Sequence, residues 1–283
     1  MIEIDVAAYL ARLGIEEAEP PSVAALHRLH AAHVERVPYE TLEIQLGRPT
    51  SLDPAESARR IVAGRGGYCF HLNGAFSALL RQLGYRVTRH LGGAQMSAAD
   101  RAEITREHLA LTVDALPGDP ETAWFTDVGL GDGLHTPLPL RTGTYRQGPF
   151  TYGLEPSRIA PGGWRMAHDP SGSFFALDFA PGPAEMGDFA DRHEYLSTSP
   201  DSGFVRTCTV QRRDAGGVDV LRALTLTRTP GTRTVLETEH DWWAALGDVF
   251  GIPAAGFTGE ERARLWRTVV AQHERFLAGQ AQS

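Results

Sequence analysis

In Arg65-Gly66-Gly67-Tyr68-Cys69-Phe70-His71-Leu72-Asn73-Gly74, two adjacent glycines end an irregular segment and a cysteine opens an amphipathic helix. Leu72, Phe76, Leu79, Leu80 and Leu83 follow at i, i+4, i+7, i+8 and i+11, a single apolar stripe that Gly84 closes. Cys69 therefore sits in the first helical turn, where unpaired amide N–H groups and the helix dipole favour a thiolate. Cysteine often packs as a small hydrophobe, but the Gly-Gly turn favours a nucleophile here. Cys208, in Thr207-Cys208-Thr209-Val210, has no glycine loop, helix end or basic neighbour, and reads as packing.

Working outward, Ser22 caps a helix that runs to Val37 and stops at Pro38. Asp53-Pro54-Ala55-Glu56 reads as a capping box with proline at the first helical position, opening a helix that ends near Gly64. Beyond residue 85 the texture changes to short strands, at 86–90, 108–114, 123–128 and 174–179, which suggests a barrel or small sandwich. Residues 137–163, rich in Gly, Pro, Thr and Arg, read as a long surface loop, and Gly92-Gly93 as a turn. The last part reads as strands at 207–213, 218–228 and 233–238, with a turn at 214–217, then helices at 240–250 and 260–277. The expectation is an α+β chain in three parts: helical (1–85), β (86–199) and mixed (200–283).

Composition narrows the chemistry. All 27 basic residues are arginine, so no lysine is available for a Schiff base or for the phosphate-binding lysine of a P-loop. The excess of Arg, Ala and Gly reads as the codon bias of a GC-rich genome. A net charge of -8 argues against duplex nucleic acid as a partner. No apolar run approaches the roughly 20 residues of a membrane helix, and the acidic start Met1-Ile2-Glu3-Ile4-Asp5 is unlike a signal peptide, so the cytoplasm is the expected location. Two cysteines make neither a disulfide framework nor a zinc ribbon. His27, His30 and His33 resemble a metal comb, but the third drifts about 120° around the helix from the first, and the set reads as a solvated or partly buried helix face.

A thiolate needs a base, and the base an orienter. In 108–113 the apolar residues Leu109, Leu111 and Val113 alternate, which puts His108 on the opposite face. Pro117-Gly118-Asp119-Pro120 is a turn, and a hairpin folded about the 117–118 bond pairs residues whose numbers sum to 235, as those of His108 and Asp127 do. That register sets the two side chains opposite each other.

The stretch around Cys69 resembles the active-site signature of the arylamine N-acetyltransferases. Cys69, His108 and Asp127 follow in the family's chain order, and Asp127-Val128-Gly129-Leu130-Gly131 is similar to its Asp-Val-Gly-aromatic-Gly pattern. Val37-Pro38-Tyr39-Glu40-Thr41-Leu42 resembles its Pro-Phe-Glu-Asn-Leu segment, and Ser199-Pro200-Asp201-Ser202-Gly203-Phe204 its interdomain segment. The likeness runs from about residue 9 to 210 and continues by order of elements. Thr41 for Asn, Leu130 for Phe and His71 for the common Glu depart from the pattern. Papain-like peptidases, which share the thiol logic, have a different motif around the cysteine and Asn as third member.

The resemblance implies a helical first domain, a β-barrel second domain and an α/β third domain around a cysteine-protease-like Cys-His-Asp core. It implies ping-pong acetyl transfer, with acetyl-CoA as co-substrate and an arylamine, hydrazine or arylhydroxylamine as acceptor. No permanently bound cofactor and no metal is expected. Leu130, Phe204 and Gly129 are expected at the substrate pocket, and Arg65 and Glu40 as a buried pair supporting the nucleophile loop. Two rivals stand beside this: an amide synthase of the same superfamily fed by a carrier protein, and a non-catalytic binding module on the same fold.

Overall fold

A computed structural model describes residues 3–280 of the chain. Helices come first: α1 (Val6–Arg12), α2 (Val23–Arg36), then strand β1 (Tyr39–Glu40), α3 (Leu42–Gln45), α4 (Pro54–Val62) and α5 (Cys69–Gln82). Ser22 caps α2 by accepting from Ala25 N–H, and Asp53 caps α4 by accepting from Ala55 N–H. The expected capping box is half present, because Glu56 accepts from the Ser51 hydroxyl instead of closing on Asp53. Helix α5 is buried along almost its whole length, with Phe70, Leu72, Phe76, Leu79 and Leu80 in one core cluster.

The strands of the middle part are β2 (Arg86–Gln95), β3 (His108–Asp114), β4 (Trp124–Phe125), β5 (Leu138–Pro139), β6 (Gly143–Gln147), β7 (Phe150–Pro156), β8 (Trp164–Ala167) and β9 (Ala176–Phe179). Among the described residues they form one antiparallel sheet in the order β5-β4-β3-β2-β9-β8-β7-β6, wrapped around a core of Phe125, Phe150, Tyr152, Leu154, Met166 and Phe179. The Gln147 side chain ties β6, one end strand, to the segment leading into β5, the other: it accepts from His135 and Thr136 N–H and donates to Thr136 O. The result is a nearly closed, barrel-like sheet.

Two expectations change here. Residues 137–163 hold three strands and are not a loop; β6 alternates half-buried and exposed residues, and its Gly, Thr and Arg content hides that period. Gly92 and Gly93 lie inside β2, where a Cβ on Gly93 would meet Glu103 O at 1.9 Å, so close backbone approach explains this glycine and a turn does not. Helix α6 (Ala190–Thr198) and the short α7 (Gly203–Arg206) close this part and begin the next.

The final part adds β10 (Thr209–Asp214), β11 (Gly217–Arg222), β12 (Thr225–Thr229), β13 (Arg233–Val235), α8 (Glu239–Asp248) and α9 (Gly259–Gln280). The single strand expected at 218–228 is two, folded back on each other at Ala223 and Leu224, where Ala223 has a φ of 49°. β1 pairs with β10, so the segment just before α3 is a strand of the last sheet. Leu42 and Leu46 join Val210, Leu221, Trp242, Leu246 and Leu265 in the core beneath it. No helix among the described residues is long and apolar enough to cross a membrane.

Candidate active site

Strand 39–40 clasps the loop that carries the cysteine. Glu40 N–H donates to Gly67 O at 2.9 Å, and a Cβ on Gly66 would lie 1.9 Å from Pro38 O, so that position tolerates only glycine. Arg65 and Glu40 meet as the sequence suggested, Nη2 to Oε1 at 3.4 Å, but the partnership is wider: Arg65 also reaches Glu43 at 2.9 Å, and Arg60 approaches both acids. The Arg65 guanidinium lies 4.4 Å from the centroid of the Phe257 ring, which ties the loop to the last part of the chain.

His71 stands in the first turn of α5. Its Nδ1 accepts from Tyr68 N–H at 3.4 Å and its Nε2 bonds the Thr50 hydroxyl at 2.8 Å. Burial, with His193 and Arg60 nearby, pushes it down to about 3, so a neutral imidazole takes one of the open amides at the helix N-terminus. Thr41 pins β1 to β10, its hydroxyl accepting from Thr209 N–H at 3.1 Å. Of the three departures from the family pattern, only Leu130 faces the cavity described below.

His108 opens β3 and lies against the helix start. Its Nε2 is 2.6 Å from Asp127 Oδ2, both groups buried, and the nitrogen left over is Nδ1; His108 and Cys69 line the same cavity. Burial opposes the imidazolium, but the Asp127 carboxylate, its hydrogen bond to the ring and the nearby Cys69 outweigh it and push His108 up to about 10. The Cys69 thiol also lies 3.4 Å from Glu107 O.

The hairpin register differs from the expected one by two residues. Thr112 pairs with Phe125 and Val113 with Trp124. The turn itself sits where expected, with Leu116 bridged to Asp119, but residues 120–123 add two positions on the returning side, and the paired strand ends at Phe125 rather than running to 128. Because side chains alternate with a period of two, a slip of two keeps Asp127 on the face of His108. Asp127 then reaches its partner diagonally, from just beyond the ladder.

Three donors fix the Asp127 carboxylate. His108 serves Oδ2, while Asn73 Nδ2 at 2.7 Å and Gly129 N–H at 2.9 Å serve Oδ1. Asn73 also donates to Leu109 O at 2.6 Å and accepts from Val128 N–H at 2.9 Å, joining α5, β3 and the segment after β4 through one amide. Sequence reasoning quoted Asn73 within the signature and gave it no task; a buried amide one turn after Cys69 was the available signal. Gly129 is a packing requirement, since a Cβ there would sit 2.7 Å from Cys69 Cα and 2.8 Å from Asn73 Nδ2.

Cys69 and His108 open into a cavity of about 510 Å³ whose lining includes Tyr39, Gly129, Leu130, Phe174 and Phe204. Phe204 packs against Tyr68 at 5.0 Å and Tyr39 at 6.3 Å between ring centroids. The wall toward β10 and β11 is polar, with Thr207, Thr209, Gln211 and Arg222. Cys208 lies elsewhere, buried beneath the last sheet, and burial pushes its thiol up. Among the described residues no group of three His, Cys, Asp or Glu is arranged to hold a metal ion. On the helix face expected to be solvated or partly buried, His27 is partly buried, but His30 and His33 are fully buried. His135 pairs with Glu35, His168 packs against Asp132 and His193 bonds the Tyr68 hydroxyl.

A family model described as N-acetyltransferase matches residues 22–256. The arylamine N-acetyltransferase of Mycolicibacterium smegmatis is 33% identical over 214 residues, 73% of this chain and 76% of that protein. The arylamine N-acetyltransferase / N-hydroxyarylamine O-acetyltransferase of Salmonella typhimurium is 37% identical over 144 residues, half of each chain. The solved arylamine N-acetyltransferase from Salmonella typhimurium superposes with a TM-score of 0.82 at 26% identity, over 95% of this chain and 100% of that one. The Mycobacterium marinum arylamine N-acetyltransferase in complex with CoA superposes with a TM-score of 0.83 at 26% identity, over 94% and 98%.

Proposed function

Since the chain belongs to the arylamine N-acetyltransferase family, we propose that it moves an acetyl group from acetyl-CoA to the nitrogen of an arylamine, hydrazine or arylhydroxylamine through an acetyl-Cys69 intermediate. The observation that carries this reading is the buried line Asp127–His108–Cys69, with 2.6 Å between Oδ2 and Nε2, at the wall of a cavity with aromatic lining. Asp127 holds His108 as imidazolium, which stabilises the Cys69 thiolate. The thiolate attacks the thioester carbonyl of acetyl-CoA; the new bond is Cys69 S to the acetyl carbon, the broken one joins that carbon to the CoA sulfur, and the imidazolium proton leaves on CoA. In the second half the amine attacks the acetyl-cysteine, His108 takes the amine proton, and Cys69 departs as thiolate. The thioester keeps the acyl group as activated as it was on CoA.

A flat aromatic ring suits the apolar side of the cavity formed by Leu130, Phe174 and Phe204. The test is a panel of anilines and hydrazines assayed for acceptor-dependent release of free CoA. Release across the panel supports the reading. No release with any small amine, together with transfer from an acylated carrier protein, would replace it with an amide synthase. A thiol inert to iodoacetamide at neutral pH would point to the binding module.

A further inference from the structure

His30, on α2, spends both ring nitrogens on main chain. Its Nδ1 lies 3.0 Å from His135 O, and its Nε2 lies 3.2 Å from Asp127 N and 3.0 Å from Asp127 O. Asp127 N–H donates to Nε2 and needs its lone pair, so the single hydrogen of the neutral ring sits on Nδ1 and goes to His135 O; Asp127 O, beside Nε2, gains no bond from the ring. Burial pushes the ring down to about 4, against the opposing pull of His135 O and Asp127, so it is neutral at neutral pH and Nε2 offers a lone pair to Asp127 N–H. The titratable groups facing it are His33 on its own helix and Asp127 and His135 across from it. The edge of Phe76, from α5, fills the remaining side at 6.2 Å between centroids.

The far anchor is itself held. His135 Nε2 meets Glu35 Oε1 at 2.7 Å, and His135 N–H donates to Gln147 Oε1 at 2.8 Å. One imidazole thus spans the chain between the residue that orients His108 and a fixed point eight residues later. Asn73 and Gly129 locate the carboxylate end of Asp127; His30 locates its backbone end.

We propose that His30 is a positioning residue of acetyl transfer: by clamping the Asp127 main chain against that of His135, it sets the approach of the Asp127 carboxylate to His108. This rests on the reading of Cys69, His108 and Asp127 given above. Nothing in the inference asks His30 to touch substrate or to change its charge.

Two substitutions separate the contacts. In His30→Asn the amide nitrogen overlies imidazole Nδ1, keeping the bond to His135 O and releasing Asp127. In His30→Gln the longer chain places the amide oxygen near imidazole Nε2, keeping Asp127 N–H and releasing His135. Acetylation of Cys69 by acetyl-CoA alone, followed by intact mass, should slow about tenfold to hundredfold in His30→Asn, the range expected when a positioned group drifts by up to an ångström. The pH at which iodoacetamide begins to alkylate Cys69 should rise in the same variant. His30→Gln should restore most of both, with similar thermal midpoints for the two variants. His30→Asn matching the parent in rate and alkylation profile would overturn the inference. So would both variants losing activity in step with stability while the alkylation profile stays put, because packing alone predicts that. A parent that forms no acetyl adduct defeats the proposed function instead, and the alkylation profiles still report on the clamp.

Discussion

Replacing Asp127 with asparagine changes one atom of the site, and the surrounding donors dictate how the new side chain must sit. Asn73 Nδ2 and Gly129 N–H both point at Oδ1, so the amide oxygen takes that place and the amide nitrogen takes the place of Oδ2, 2.6 Å from His108 Nε2. An N–H aimed at Nε2 forces that nitrogen to accept. The imidazole proton moves to Nδ1, the other ring nitrogen, and the ring has no free lone pair left to take a proton from the thiol. In the parent the site raises His108 from an ordinary value near 6.5 to about 10. At about 1.4 kcal/mol for each factor of ten, that favours the imidazolium by roughly 5 kcal/mol, shared between Asp127 and Cys69. Loss of the carboxylate and of the right tautomer should slow acetylation of Cys69 by about 10³- to 10⁴-fold, the scale seen for the same change in a Ser-His-Asp triad. Far-UV circular dichroism should match the parent, since both Oδ1 contacts survive. The assay is the time course of the acetyl adduct without acceptor, paired with alkylation against pH. A well-folded Asp127→Asn protein that acetylates within tenfold of the parent, with an unmoved alkylation profile, would refute the tautomer argument.

Other outcomes follow from the same geometry. Cys208→Ala, remote from the cavity, should acetylate within about twofold of the parent at a stability cost of about 1 kcal/mol. Phe204→Ala should raise KM for bulky arylamines about tenfold while slowing Cys69 acetylation far less, read from steady-state and single-turnover rates; equal losses in both would remove Phe204 from the acceptor wall. Stability should fall as pH rises from about 6.5 to about 10, because the folded state holds the His108 proton that the unfolded chain releases; below about 6.5 this contribution is present in full. Urea midpoints should show that slope in the parent and a flatter one in Asp127→Asn, and parallel slopes would contradict it.

Much of the site was legible because its signals are local. The Gly-Gly turn and the apolar stripe placed Cys69 at a helix start, and alternation put His108 on the opposite face to Leu109 and Leu111. The expected register is off by two residues, and His108 and Asp127 still meet because an even slip keeps them on one face. Other features depended on contacts distant in sequence. The polar face of 190–198 concealed α6, and the half-exposed β6 and β7 passed for loop because Gly, Thr and Arg masked their period. His30 was misread for a related reason: spacing along α2 says which residues share a face, but what covers that face is Asp127, 97 residues away.

The most direct test of acetyl transfer through Cys69 is intact-mass analysis after incubation with acetyl-CoA and no acceptor. The parent should carry a single acetyl group that disappears when an arylamine is added, and Cys69→Ala should carry none. A parent that stays unmodified, or an adduct that persists in Cys69→Ala, would contradict it.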